Sequence, residues 1–256
     1  FRGIIALALV HPSADFLWAI FVLPFVLCNL LPSFVQYLSK KFELTKPKRI
    51  ILLICLECVI LGFAIGMWNI VLNSSFMAPT VNFLWEIYVD PIKSIITVLN
   101  FGLLMNMPQI LFAVAFWIGF VSCILNKNYR WLTLAFLMTA VIYVASLSDV
   151  LPIKRFFSGF WYTDPFRIAA SCVIMAIPLA ALGLATLAEA ALETFASWRE
   201  KASQAQTKAQ TCVFCTVWAK PLIVGAVIAC VVVLNYVIPM PNLKSEEPIP
   251  AATAFK

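Results

Sequence analysis

The chain has 256 residues, of which 63% are hydrophobic and 12% charged, against roughly 45–50% apolar and about 25% charged in soluble domains. Its formal net charge is +6. The basic residues cluster in short loops beside long apolar runs, a pattern of membrane topology determinants and headgroup contacts that speaks against a nucleic-acid partner. A helix needs ~20 consecutive apolar residues to cross a bilayer, and the chain offers several such runs, without the ~10-residue alternating segments of a β-barrel. The expected class is an all-α polytopic transmembrane helical bundle of about six full spans plus a truncated N-terminal span.

In chain order, residues 4–10 read as the outer end of that truncated span, and the start at Phe1 within an apolar stretch reads as the C-terminal part of a longer protein. A polar turn, His11-Pro12-Ser13-Ala14-Asp15, precedes a span expected at 16–38, which Pro24 and Pro32 should kink. A loop with Lys40, Lys41, Lys46, Lys48 and Arg49 leads to a span at 50–73, which contains Gly62 and Gly66 at a spacing that lets two helices approach closely. Residues 74–100 read as a loop with a short surface helix near 82–98. Further spans are expected at 102–125, 131–149, 168–188 and 217–238. The span at 168–188 should continue as an Ala/Glu/Gln-rich helix to about 210, and 239–256 should be a disordered tail. The basic loops 39–49, 126–130 and 196–220 alternate as cytoplasmic under the positive-inside rule. That places loops 74–101 and 150–167 and the C-terminus outward, in a bacterial cytoplasmic membrane.

Polar chemistry concentrates in the outer loop 150–167. There Lys154, Arg155 and Arg167 can contact an anionic group, and arginine does so bidentately. Asp164-Pro165 suits a helix start, with acid at the cap and proline in the first turn. Trp161 and Tyr162 belong at headgroup level. Two readings stay open: an aromatic belt with a capped helix and a snorkelling arginine, or a binding site. His11 and Asp15 form a second candidate on the same face, either capping a helix at the interface or sharing a proton or helping to hold a metal as an i,i+4 pair. Glu57 lies about seven residues into its span, where a carboxylate is costly. It reads either as a polar contact to Asn29 or Asn69 or as part of a proton path.

The eight cysteines lie mostly in apolar runs and act as small hydrophobes. Cys212 and Cys215 form a lone CxxC without the second pair that a zinc site would need. No P-loop, Gly-x-Ser-x-Gly or HExxH is present. No cofactor is identified, and a divalent metal stays open without a ligand set to support it.

The run Phe160-Trp161-Tyr162-Thr163-Asp164-Pro165-Phe166-Arg167-Ile168-Ala169-Ala170, followed by Pro178-Leu179-Ala180-Ala181-Leu182-Gly183, resembles a segment of an uncharacterised family of large actinobacterial multi-pass membrane proteins. Its members carry Trp-Tyr-x-Asp-x-x-Arg before such a span, and His11-Pro12-Ser13 also looks like a family element. That family is similar to the C-type glycosyltransferases, which take sugars from polyprenyl-phosphate donors. The resemblance implies a lipid-linked sugar as ligand, with Trp161, Tyr162, Asp164, Arg167, Arg155, His11 and Asp15 as substrate-binding residues. It also implies a catalytic carboxylate upstream of Phe1. The alternatives are a transporter or flippase using Glu57, and a non-catalytic membrane scaffold associating through Gly62 and Gly66.

Overall fold

A computed structural model describes residues 12–87, 90–103, 108–205 and 225. Among these residues the fold is entirely helical, with no strand. The first rod comprises α1 (Pro12–Phe25), a π-helical segment (Val26–Leu30) and α2 (Leu31–Lys41). The kink expected from two prolines takes the form of this π segment, in which the Leu31 amide donates five residues back to the Val26 carbonyl. Pro32 has no amide to donate, and its ring crowds the carbonyl four residues earlier, so widening the turn relieves both problems. The Ser33 hydroxyl donates to the Asn29 carbonyl at 2.7 Å.

Helix α3 (Lys46–Leu72) returns along α2 as a hairpin. Its 27 residues rise about 40 Å at 1.5 Å each, enough for a ~30 Å hydrocarbon core. None of its apolar window is buried, so α3 is a peripheral rod. Gly62 and Gly66 have no neighbouring atom within 4 Å of where a side chain would begin.

After the short α4 (Ala78–Val81), residues 82–87 are not helical. The surface helix expected at 82–98 is α5 (Pro91–Leu99). It starts late because Asp90 caps it, accepting from the Ile92 amide at 2.7 Å, and Pro91 opens its first turn.

Helices α6 (Ile110–Leu125) and α7 (Arg130–Ser146) have 16 and 17 residues. They rise about 24 and about 26 Å, less than the ~30 Å core. Where a span is expected from 102, residues 102–103 and 108–109 are not helical and α6 begins at Ile110, since Pro108 has no amide to donate within a helix. The short α8 (Leu151–Ser158) and a 3₁₀ turn (Gly159–Trp161) lead into α9 (Pro165–Ala205), 41 residues without a break despite Pro178.

Three rods are long and apolar enough to cross a membrane: Ala14–Lys41, Lys46–Leu72 and Pro165–Trp198. Against the six spans expected, two more apolar helices are shorter, and 4–10, 217–238 apart from residue 225, and 239–256 lie outside the described residues.

The core lies where α6, α7 and α9 meet, with Phe116, Phe136, Tyr143, Cys172 and Leu179 all buried. Helices α6 and α9 touch backbone to backbone. A Cβ at Gly119 would overlap the Leu179 carbonyl, and one at Gly183 would overlap that of Ala115. Buried hydroxyls bond to their own helices: Thr139 donates to Phe136 O at 2.8 Å and Ser146 to Tyr143 O at 2.6 Å. These bonds satisfy polar groups that hydrocarbon cannot solvate.

Candidate functional site

The start of α9 is built by Asp164. Its Oδ1 accepts from the amides of Phe166 at 2.9 Å and Arg167 at 3.4 Å. Its Oδ2 lies 3.2 Å from Arg167 Nε, with the Asp164 side chain 10% and the Arg167 side chain 51% exposed. Arg167 Cζ also sits 5.1 Å from the centroid of the Tyr162 ring. Three of the residues singled out from the sequence therefore form one unit. The carboxylate fixes the guanidinium through Nε, the ring supports its face, and the terminal amino groups remain for an incoming oxyanion. The α9 amides are already taken by the cap, so the positive charge offered here is that of Arg167.

Tyr162 and Thr163 have φ of 59° and 51°, left-handed values costly for residues with a side chain, above all a β-branched one. Contacts with a distant segment hold this turn. The Thr163 hydroxyl accepts from the Trp85 amide at 2.9 Å and donates to the Phe83 carbonyl at 3.1 Å. Lys154 Nζ donates to the Trp85 carbonyl at 2.6 Å, so both polar backbone atoms of Trp85 are held by side chains of the motif loop. Lys154 is 2% exposed, and burial pushes its amine below the usual lysine value, partly opposed by the nearby Asp149 carboxylate. It reads from the sequence as a free cation for an anion, yet it serves as an internal tie. Neither tie is visible in sequence, because each joins segments 69 to 80 residues apart.

Trp161 is 4% exposed and packs inward, its ring in a group with Phe16, Trp68 and Phe160. Phe16 stacks on Phe160 at 3.6 Å between centroids, and Trp68 Nε1 donates to the Phe156 carbonyl at 2.8 Å. The α1 start, the α3 end, the 83–87 segment, α8 and the α9 start thus share one end of the molecule, opposite the basic α2–α3 tip.

Asp15 is in the first turn of α1, beside Phe16. Among the described residues its Oδ2, the Nε of Arg155 and Thr133 Oγ1 are buried atoms without a hydrogen-bond partner. No ion pair joins Asp15 to Arg155. His11 lies outside the described residues.

Glu57 is distant from this end, half-buried on α3, and forms neither a hydrogen bond nor an ion pair among the described residues. Its two expected partners bond elsewhere: Asn29 Nδ2 donates to Asn128 O at 3.5 Å and Asn69 Nδ2 to Ile65 O at 3.0 Å. Cys28, Cys55, Cys58, Cys123 and Cys172 are free thiols. No group of three His, Cys, Asp or Glu side chains close enough to hold a metal occurs among the described residues.

No curated protein and no solved structure matches the chain. The model of a family of unknown function, DUF6541, matches residues 1–255, and the chain belongs to that family.

Proposed function

We propose that this protein binds the phosphate of a polyprenyl-phosphate-linked sugar at Arg167, as part of a membrane-embedded glycosyltransferase-like system for cell-envelope assembly. The observation that carries the reading is a half-exposed guanidinium paired through Nε with Asp164 on one edge and backed by Tyr162 on one face, with its outer edge open. A planar fork fixed in this way is preorganised for a phosphate. Tyr162, exposed beside it, offers an apolar and hydrogen-bonding surface to the sugar or the first isoprene unit. In this reading the motif faces outward from a bacterial cytoplasmic membrane, 217–238 supplies a further span, and the catalytic carboxylate belongs to an upstream segment. The resemblance to C-type glycosyltransferases supports the enzyme assignment, and the geometry supports the anion.

The test is binding of a polyprenyl-phosphate sugar to purified protein in detergent. A charge-assisted hydrogen bond is worth ~1.5–3 kcal/mol, so Arg167→Ala should weaken binding by about 10- to 150-fold while the thermal unfolding midpoint changes little. Unchanged affinity in a folded Arg167→Ala protein removes the motif from ligand binding.

A further inference from the structure

The second polar constellation lies at the opposite, basic end. The turn between α6 and α7, Asn126-Lys127-Asn128-Tyr129-Arg130, is exposed throughout. It comes against the π segment of the first rod. Asn29 Nδ2 reaches the Asn128 carbonyl at 3.5 Å, and Trp131 packs edge-on to Phe21 and Phe25. Asn29 precedes Lys41 by about as many residues as Glu57 follows Lys46 on the antiparallel α3, so the turn is level with Glu57.

That level falls inside the membrane when the apolar run of α3 spans the hydrocarbon core. The apolar run of α3 begins at Ile50, directly after Lys46, Lys48 and Arg49, and continues to Leu72. At 1.5 Å per residue the run from 50 to 72 covers about 34 Å, which matches the hydrocarbon core. Glu57 is then about 10 Å inside the boundary, and so is the turn. From the π segment α2 carries the chain about 16 Å further before its terminal lysines. Irregular backbone and two cations at this depth persist only where they line a wet or polar recess.

A shallow, open recess lies there, lined by Ser122, Leu125, Asn126, Lys127 and Asn128, with Arg130 exposed beyond its rim at the start of α7. Two internal bonds set its rim. The Asn126 carboxamide oxygen accepts from the Asn128 amide at 3.1 Å, and Arg130 Nε donates to the Ile124 carbonyl at 2.7 Å. The Asn126 amide donors and the Arg130 terminal donors are left to point elsewhere.

We propose that this recess seats the headgroup of an anionic phospholipid, drawn below the plane of its leaflet, with its phosphate on Lys127 and Arg130. A phosphate supplies the negative charge that both cations lack, and the acyl chains continue along the uncovered apolar face of α6, past Val121, Ile118 and Val114. This site is separate from Arg167 and does not rest on the glycosyl-transfer reading.

The experiment is native mass spectrometry of the protein in detergent, titrated with phosphatidylglycerol or phosphatidylcholine of matched chains. Wild type should retain one phosphatidylglycerol at a concentration where phosphatidylcholine is lost. A cation near a lipid headgroup is worth about fivefold in affinity, so the double variant Lys127→Gln, Arg130→Gln should lose roughly 25-fold. Lys46→Gln with Lys48→Gln at the hairpin tip should change the retained lipid little. Equal retention of both lipids by wild type overturns the proposal without reference to any variant. Equal retention of phosphatidylglycerol by the folded Lys127/Arg130 double variant also overturns it. Displacement of the lipid by equimolar inorganic phosphate would overturn the lipid assignment and leave a free-anion site.

Discussion

Thr163 combines an unfavourable backbone with a side chain that uses its hydroxyl twice. A β-branched residue at a left-handed φ costs on the order of 1–2 kcal/mol, and here a second such residue, Tyr162, precedes it. The bonds to Trp85 and Phe83 offset that cost and weld the 83–87 segment to the motif. Thr163→Val keeps the shape and removes both bonds. It should destabilise by about 1–3 kcal/mol, since the Trp85 amide is left unsatisfied, whereas Thr163→Ser should recover most of the loss. Thermal unfolding in detergent reads both. Lys154 gives a pH signature of the same tie. Burial lowers its value in the folded protein, so the unfolded chain binds that proton more tightly. Stability at this site therefore rises with pH, beginning near the folded value and complete above the ordinary 10.5. The midpoint of wild type should climb relative to Lys154→Met as pH approaches that value. A difference independent of pH would mean that Lys154 stays as easily protonated as a surface lysine.

At the level of elements, the glycines divide into two kinds that sequence spacing does not separate. Gly62 and Gly66 have the four-residue repeat of a helix-association motif, but nothing in this chain approaches them. Gly119 and Gly183 carry no repeat, one on each of two helices, and they make the closest helix crossing, where any Cβ would strike backbone. A carbonyl in a helix cannot swing aside as a side chain can. Gly119→Ala should therefore cost at least ~3 kcal/mol, above the usual range for overpacking, while Gly66→Leu should leave the unfolding midpoint unchanged. A change of oligomeric state in Gly66→Leu would assign that face to a second copy or partner. The contrast marks what could be read in advance. Asp164-Pro165 was legible as a helix start because a cap and a first-turn proline act within four residues. The two prolines of the first rod likewise announced a distortion, though not its π form. Pro108 was present in a run read as continuous helix, and average hydropathy masked its local effect. The Thr163 and Lys154 ties and the α6–α9 crossing were illegible because they depend on which distant segments come together.

Across the whole molecule, charge and packing divide the structure into two ends. Lys40, Lys41, Lys46, Lys48 and Arg49 gather at the α2–α3 tip, about 30 Å of helix away from Trp68, which packs with Phe160 beside the motif. A cluster of five cations in a short loop is the strongest orienting signal in the chain, and it favours the cytoplasmic side. In the orientation we propose the motif end is outside, where Lys93 on α5 is exposed and Lys154 is enclosed. These lysines provide a labelling experiment with an internal control. A membrane-impermeant amine reagent applied to intact cells should modify Lys93 and spare Lys46 and Lys48, with sites located by peptide mapping. Lys154 should also be spared, because burial rather than sidedness protects it. Permeabilising the membrane should expose Lys46 and Lys48 and leave Lys154 unreacted, whereas detergent with denaturant should expose all four. Modification of Lys46 and Lys48 in intact cells, with Lys93 protected, would invert the orientation. Arg167 would then face the cytosol and the recess at Lys127 the exterior, so each proposed ligand would have to come from the opposite leaflet.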